Sequence, residues 1–194
     1  MRLPLFHPLL YYPALAALAA LAVMLSLRPS WPIQTLPAQA AVREGPALDY
    51  SGAQLAAVVP GGHHVIYVPR DSQGLPTALR LARRMEAAGE DATGAVLAFT
   101  SDDAAAFVGA SVSVDIVYRP LRINSAEGVS VRFAGANDWV SAPLEPRESQ
   151  AGFVLPAPAT PPSGLEIRID STRPDYAYGV EILAIRLTPT LASP

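Results

Sequence analysis

Two histidines stand side by side at His63 and His64, in "GGHHVIYVPR", and two aspartates at Asp102 and Asp103. Adjacent side chains on a strand point to opposite faces, so the histidines cannot close together on one metal ion or form an acid/base pair. The third histidine, His7, lies far upstream, and no H-E-x-x-H spacing supplies a zinc site. The histidine pair is read as opening a strand. A glycosidase needs two carboxyl groups about 5–9.5 Å apart across its substrate, a separation that neighbouring aspartates rarely reach. Aspartate at the head of "DDAAAFVG" is expected instead to cap a short helix.

Two other stretches could bind rather than catalyse. In "GANDWVSAP", Trp139 offers a flat face for sugar C–H groups, with Asn137 and Asp138 as partners for hydroxyls. The alternative is a tryptophan that seals the edge of a core. In "STRPDYAYG", Arg173, Asp175, Tyr176 and Tyr178 would make a polar-aromatic contact surface for a glycan or a protein. The alternative there is a surface loop with one tyrosine tucked beneath it. These seven residues are the candidate binding set. No catalytic residue, metal ligand or cofactor is assigned.

Several chemistries are closed by what the chain lacks. Its 194 residues include 14 basic side chains, all arginine, and no cysteine. Without lysine there is no Schiff-base amine and no phosphate-loop lysine; without cysteine there is no thiol nucleophile, thiolate zinc site or disulfide. No Gly-x-Ser-x-Gly elbow marks a serine nucleophile. A net charge of −3 offers no basic field for a phosphate backbone, so nucleic acid is excluded as a partner.

The elements that would position these residues begin with an apolar leader. Leu9 to Leu27, "LLYYPALAALAALAVMLSL", carries no charge. As a helix it would span about 28 Å, against a hydrocarbon core of about 30 Å. Tyr11 and Tyr12 at one end, with Arg28 and Trp31 at the other, suit the two interfaces of a retained span. The chain is therefore expected to be a single-pass protein of a bacterial inner membrane, in contact with lipid through residues 9–27 and with its C-terminal domain in the periplasm. The competing reading is a signal peptide cleaved near Ala40, after "LPAQAA". The expected organisation is an anchor over 1–30, a Pro/Ala-rich tether over 31–62, and a folded domain over 63–190. A short helix within "SGAQLAAVV" is allowed for.

From residue 63 the apolar period becomes two. "SVSVDIVYRP" sets Val112, Val114 and Ile116 against Ser113 and Asp115, and "GVSVRFAG" sets Val129, Val131 and Phe133 against Ser130 and Arg132. "GLEIRIDS" turns Leu165, Ile167 and Ile169 inward; "GVEILAIRL" does so with Val180, Ile182 and Ala184 before a shift. Seven or eight such strands, broken by Gly, Pro, Asn and Asp, predict an antiparallel two-sheet sandwich. "LPTALRLARRMEAAGE" fits a helix through Leu75, Ala78, Leu79, Ala82 and Met85, or a strand through Leu79 and Leu81. The strand is preferred.

In order along the chain, "GLPTALRLARR", "SDDAAAFVGASVSVDIVYRP", "GVSVRFAGANDW" and "SGLEIRIDSTRPDYAYGVEILAIRL" resemble the galactose-binding-like jelly-roll superfamily, which includes many carbohydrate-binding modules. The resemblance covers roughly residues 63–188 and implies a mainly β jelly-roll sandwich that binds glycans or assists assemblies without catalysis. It carries over no binding residue. The expected function is an exported, membrane-anchored, non-catalytic module for an envelope glycan or protein partner. A structural accessory subunit packing through "ALAALAALAV" is the alternative, since small residues allow close helix approach. A glycan hydrolase is the weakest reading.

Overall fold

The computed structural model describes residue 12 and residues 15–19, 38–83, 93–171 and 177–191. The chain divides into two compact units, Met1–Gln34 and Thr35–Pro194. In the first unit residues 15–19 are helical, and Tyr12, Leu15 and Leu18 are exposed. Among the described residues no helix is long and apolar enough to cross a membrane. The rest of the expected span lies outside them.

The second unit is a mainly β sandwich of two antiparallel sheets. Its strands are β1 (Val42–Glu44), β2 (Ala47–Ser51), β3 (His64–Tyr67), β4 (Leu79–Arg83), β5 (Ala95–Ala98), β6 (Ala110–Pro120), β7 (Gly128–Phe133), β8 (Val140–Pro143), β9 (Ser149–Leu155), β10 (Gly164–Asp170) and β11 (Tyr178–Leu191). The smaller sheet runs β5-β10-β7-β8. In the larger sheet the long β11 pairs with β6 along one side, and β6 pairs with β9. Along its other side β11 pairs first with β4 and then with β2, which carry β3 and β1 at the outer edges.

Alternation fixes which side chains meet between the sheets. Val112, Val114, Ile116 and Tyr118 of β6 are buried, as are Val129, Val131 and Phe133 of β7 and Leu165, Ile167 and Ile169 of β10. Each such side chain contributes about 1.5–3 kcal/mol by leaving water. Leu79 and Leu81 are fully buried on β4, so this segment is a strand over 79–83; residues 84–92 lie outside the described set.

Three expectations are corrected. The sandwich begins well before residue 63. β1 and β2 form a hairpin turned by Gly45 at φ +62° and Pro46, and Leu48 and Tyr50 enter the core. The chain continues through a short 3-10 turn, Leu55–Ala57, with Leu55 and Val58 buried, and Val59 exchanges backbone hydrogen bonds with Val96 at 2.8 Å each. Proline here turns a hairpin rather than stiffening a tether. Second, Ala184 does not face inward. A bulge between Ile182 and Ala184 inserts Leu183, so inward parity moves from Val180 and Ile182 to Ile185 and Leu187.

Third, the helix Ser101–Ala105 is capped by Thr100, whose hydroxyl accepts from the Asp103 amide at 3.3 Å. Asp102 and Asp103 lie in its first turn, favourably placed against the helix dipole. The Asp103 carboxylate, 1% exposed, turns away to accept from the Ala41 amide (3.0 Å), the Tyr50 hydroxyl (3.2 Å) and Arg43 (3.2 Å). It therefore locks the β1–β2 hairpin to the helix. Burial, and then the adjacent Asp103 carboxylate, pushes the Tyr50 hydroxyl well above the ordinary tyrosine range.

Candidate functional site

The inward residues of β7 and β10 leave their neighbours on the outer face of the small sheet. There Arg132 lies opposite Glu166, and Ser130 opposite both Arg168 and Ser141. Cross-strand register thus assembles a polar layer. Arg132 grips Glu166 through Nη2 at 2.7 Å and Nε at 2.8 Å, and Glu166 is 8% exposed. The fully buried Ser130 hydroxyl bonds Asp170 at 2.7 Å and Ser141 at 2.8 Å. Arg168 lies 3.2 Å from Asp170.

Trp139 is the lid of this layer. It is half-buried just before β8, with the Arg132 guanidinium 4.3 Å and that of Arg168 4.8 Å from its ring centroid. Desolvated cation–π pairs of this kind are worth up to about 2 kcal/mol. The ring tip reaches the strand beyond: a Cβ placed on Gly94 would sit 2.9 Å from Trp139 Cη2 and 2.6 Å from the Ile167 carbonyl oxygen. Glycine at 94 is what lets the ring lie across the sheet. Trp139 thus neither seals the inter-sheet core nor stands on a free loop.

Ahead of Trp139, Asn137 and Asp138 are exposed, and the Asn137 carbonyl accepts from Arg132 at 3.5 Å. Ahead of these, the turn after β7 closes with the Ala136 amide donating to Phe133 O at 2.9 Å and Gly135 at φ +85°. This turn forms one wall of a groove of about 420 Å³. The other wall is the proline-rich connection from Pro156 to Ser163. One loop therefore joins a groove, two exposed polar residues and the tryptophan.

Of the second candidate cluster only Tyr178 is among the described residues. Tyr178 opens β11 with its ring buried and its hydroxyl donating to Ile169 O at 3.4 Å, so it faces the core rather than a ligand. Arg173, Asp175 and Tyr176 lie outside the described residues. His64 opens β3, buried, with Nδ1 3.0 Å from Gly61 O, while His63 is exposed in the preceding turn. Among the described residues no group of three or more His, Cys, Asp or Glu could hold a metal ion.

Arg168, Glu166 and Gly94 were not singled out from sequence. Arg168 and Glu166 were legible as outward residues of an alternating strand. That they meet Trp139 and Arg132 depends on strand order and register, which alternation does not encode.

No family model matches the chain, and no curated protein matches it. Among solved structures it is similar to the CBM22-1 xylan-binding domain of Paenibacillus barcinonensis Xyn10C, at 14% identity and a TM-score of 0.47, over 79% of this chain and 100% of that one. It is also similar to the CBM1 domain of BiXyn10A, at 10% identity and a TM-score of 0.44, over 74% of this chain and 96% of that one. A third is the CBM22-1-CBM22-2 tandem of the same Paenibacillus protein, at 15% identity and a TM-score of 0.46, over 80% of this chain and 50% of the tandem.

Proposed function

We propose that the sandwich is a non-catalytic recognition module for an envelope glycan, held in the periplasm on an inner-membrane anchor formed by residues 9–27. The observation that carries the reading is the juxtaposition of Trp139, held over Arg132 and Arg168, with exposed Asn137 and Asp138 on one loop. A sugar presents C–H patches and hydroxyl groups together, and this loop presents an aromatic ring, an amide and a carboxylate together. Pinning the ring beforehand lowers the ordering cost of binding. The anchor rests on the uncharged run from Leu9 to Leu27 and its aromatic and arginine flanks.

Calorimetric titration of the full chain in detergent micelles against a panel of envelope and cell-wall oligosaccharides tests the reading. Saturable binding that Trp139→Ala weakens at least about tenfold is expected. Silence across the panel would overturn it.

The second reading, an accessory subunit, is favoured by "ALAALAALAV" alone. Replacing this stretch with a leucine helix should then abolish co-purification of a membrane partner. Unchanged co-purification would remove that reading.

A further inference from the structure

The groove beside the β7–β8 turn differs in chemistry from the face that Trp139 covers. That face carries Arg132, Glu166, Arg168 and Asp170, whereas none of the described residues lining the groove is charged. We propose that the groove is a distinct subsite for an uncharged saccharide unit, continuing a glycan whose next units reach Asn137, Asp138 and Trp139. This inference rests on the glycan reading above and adds the class of sugar and its place.

Charge argues first. An ionised ligand group entering the groove would lose part of its water without gaining a counter-charge from the walls. Hydrogen-bonding capacity argues second. Pro156, Pro158, Pro161 and Pro162 carry no N–H groups, so this wall is poor in backbone donors. A polyhydroxylated ligand brings donors of its own. The proline rings meanwhile offer apolar surface to its C–H face.

The walls are also preformed. Proline fixes φ along the connection, and the Gly109 amide holds Pro158 O while the Phe99 amide holds Ser163 O, each at 3.0 Å. The facing turn is tied by the Ala134 amide to Gly164 O at 2.9 Å. The volume of about 420 Å³ falls within the ~300–1,000 Å³ of ordinary ligand pockets.

Ala136 and Thr160 are both exposed on the groove walls, so Ala136→Trp and Thr160→Trp fill the groove without entering the core. The full chain and both variants, with matched melting temperatures, are titrated with neutral tetrasaccharides (cellotetraose, maltotetraose, mannotetraose) and with tetragalacturonate. Binding of a neutral tetrasaccharide, weakened at least about tenfold by either filling variant, supports the subsite. Unchanged affinity in both variants, or a preference for tetragalacturonate, overturns it and leaves the Trp139 reading standing. Failure of the unsubstituted chain to bind any of the four overturns the subsite, and silence across the envelope and cell-wall panel as well overturns both.

Discussion

The Tyr50 hydroxyl donates at 3.2 Å to the Asp103 carboxylate, joining the β1–β2 hairpin to a helix 53 residues further along the chain. Both groups are buried, Tyr50 at 0% exposure. This contact makes the hairpin part of the sandwich, and it gives the fold a sensitivity to alkali. Burial and the neighbouring carboxylate hold the Tyr50 hydroxyl protonated above the ordinary tyrosine range. The unfolded chain releases that proton near pH 10 while the folded chain keeps it, so the folded state binds more protons and stability falls as pH rises. The contribution is fully present below about pH 10 and is lost above it at up to about 1.4 kcal/mol per pH unit. Melting temperatures between pH 8 and 12 should show this fall, and Tyr50→Phe should flatten it. An identical pH profile in the variant would contradict the assignment.

Asp103→Ala removes the acceptor for Ala41, Arg43 and Tyr50 together. A loss of about 2–5 kcal/mol is expected, because the buried Tyr50 hydroxyl and the half-buried Ala41 amide are left without their partner. Amide exchange should accelerate in β1 and β2 before it does in the central strand β6. Uniform acceleration across both sheets would show that the lock is not local.

Gly94→Ala should destabilise by about 1–3 kcal/mol, since its methyl meets both the Ile167 carbonyl and the Trp139 ring. Trp139→Ala relieves the second clash alone. The double variant should therefore lose less than the sum of the two single losses, read by urea denaturation. Strict additivity would mean that the ring does not lie against Gly94 in solution.

The alternation of apolar and polar residues made most of the sandwich legible, because each sheet buries one face. Val112, Val114 and Ile116, like Leu165, Ile167 and Ile169, could be assigned to the core before any coordinate was known. The pattern fails where its physical basis fails. The extra Leu183 reverses parity within β11, and β1 is exposed along its whole length, so neither shows a period of two in the expected place. Pro46 looked like spacer chemistry because a turn and a tether use the same residue. The candidate site was half legible: the composition of Asn137, Asp138 and Trp139 was visible, whereas the arginines beneath Trp139 and the adjoining groove depend on pairing between distant strands.

Fractionation tests the anchor. The full chain should sediment with membranes and resist extraction by high salt and carbonate, while replacing residues 9–27 with a polar linker should release it. Release of the unaltered chain by carbonate alone would contradict a retained span.

The central claim is that a glycan is held at the β7–β8 loop, and the chain's two tryptophans, Trp31 and Trp139, give it a direct readout. Nitrogen-15 spectra of the full chain in micelles resolve two indole N–H signals, assigned by single replacement of each tryptophan. Titration with the tightest-binding oligosaccharide of the panel should shift the Trp139 signal saturably and leave that of Trp31 in place. Calorimetrically detectable binding with a stationary Trp139 signal would contradict the claim.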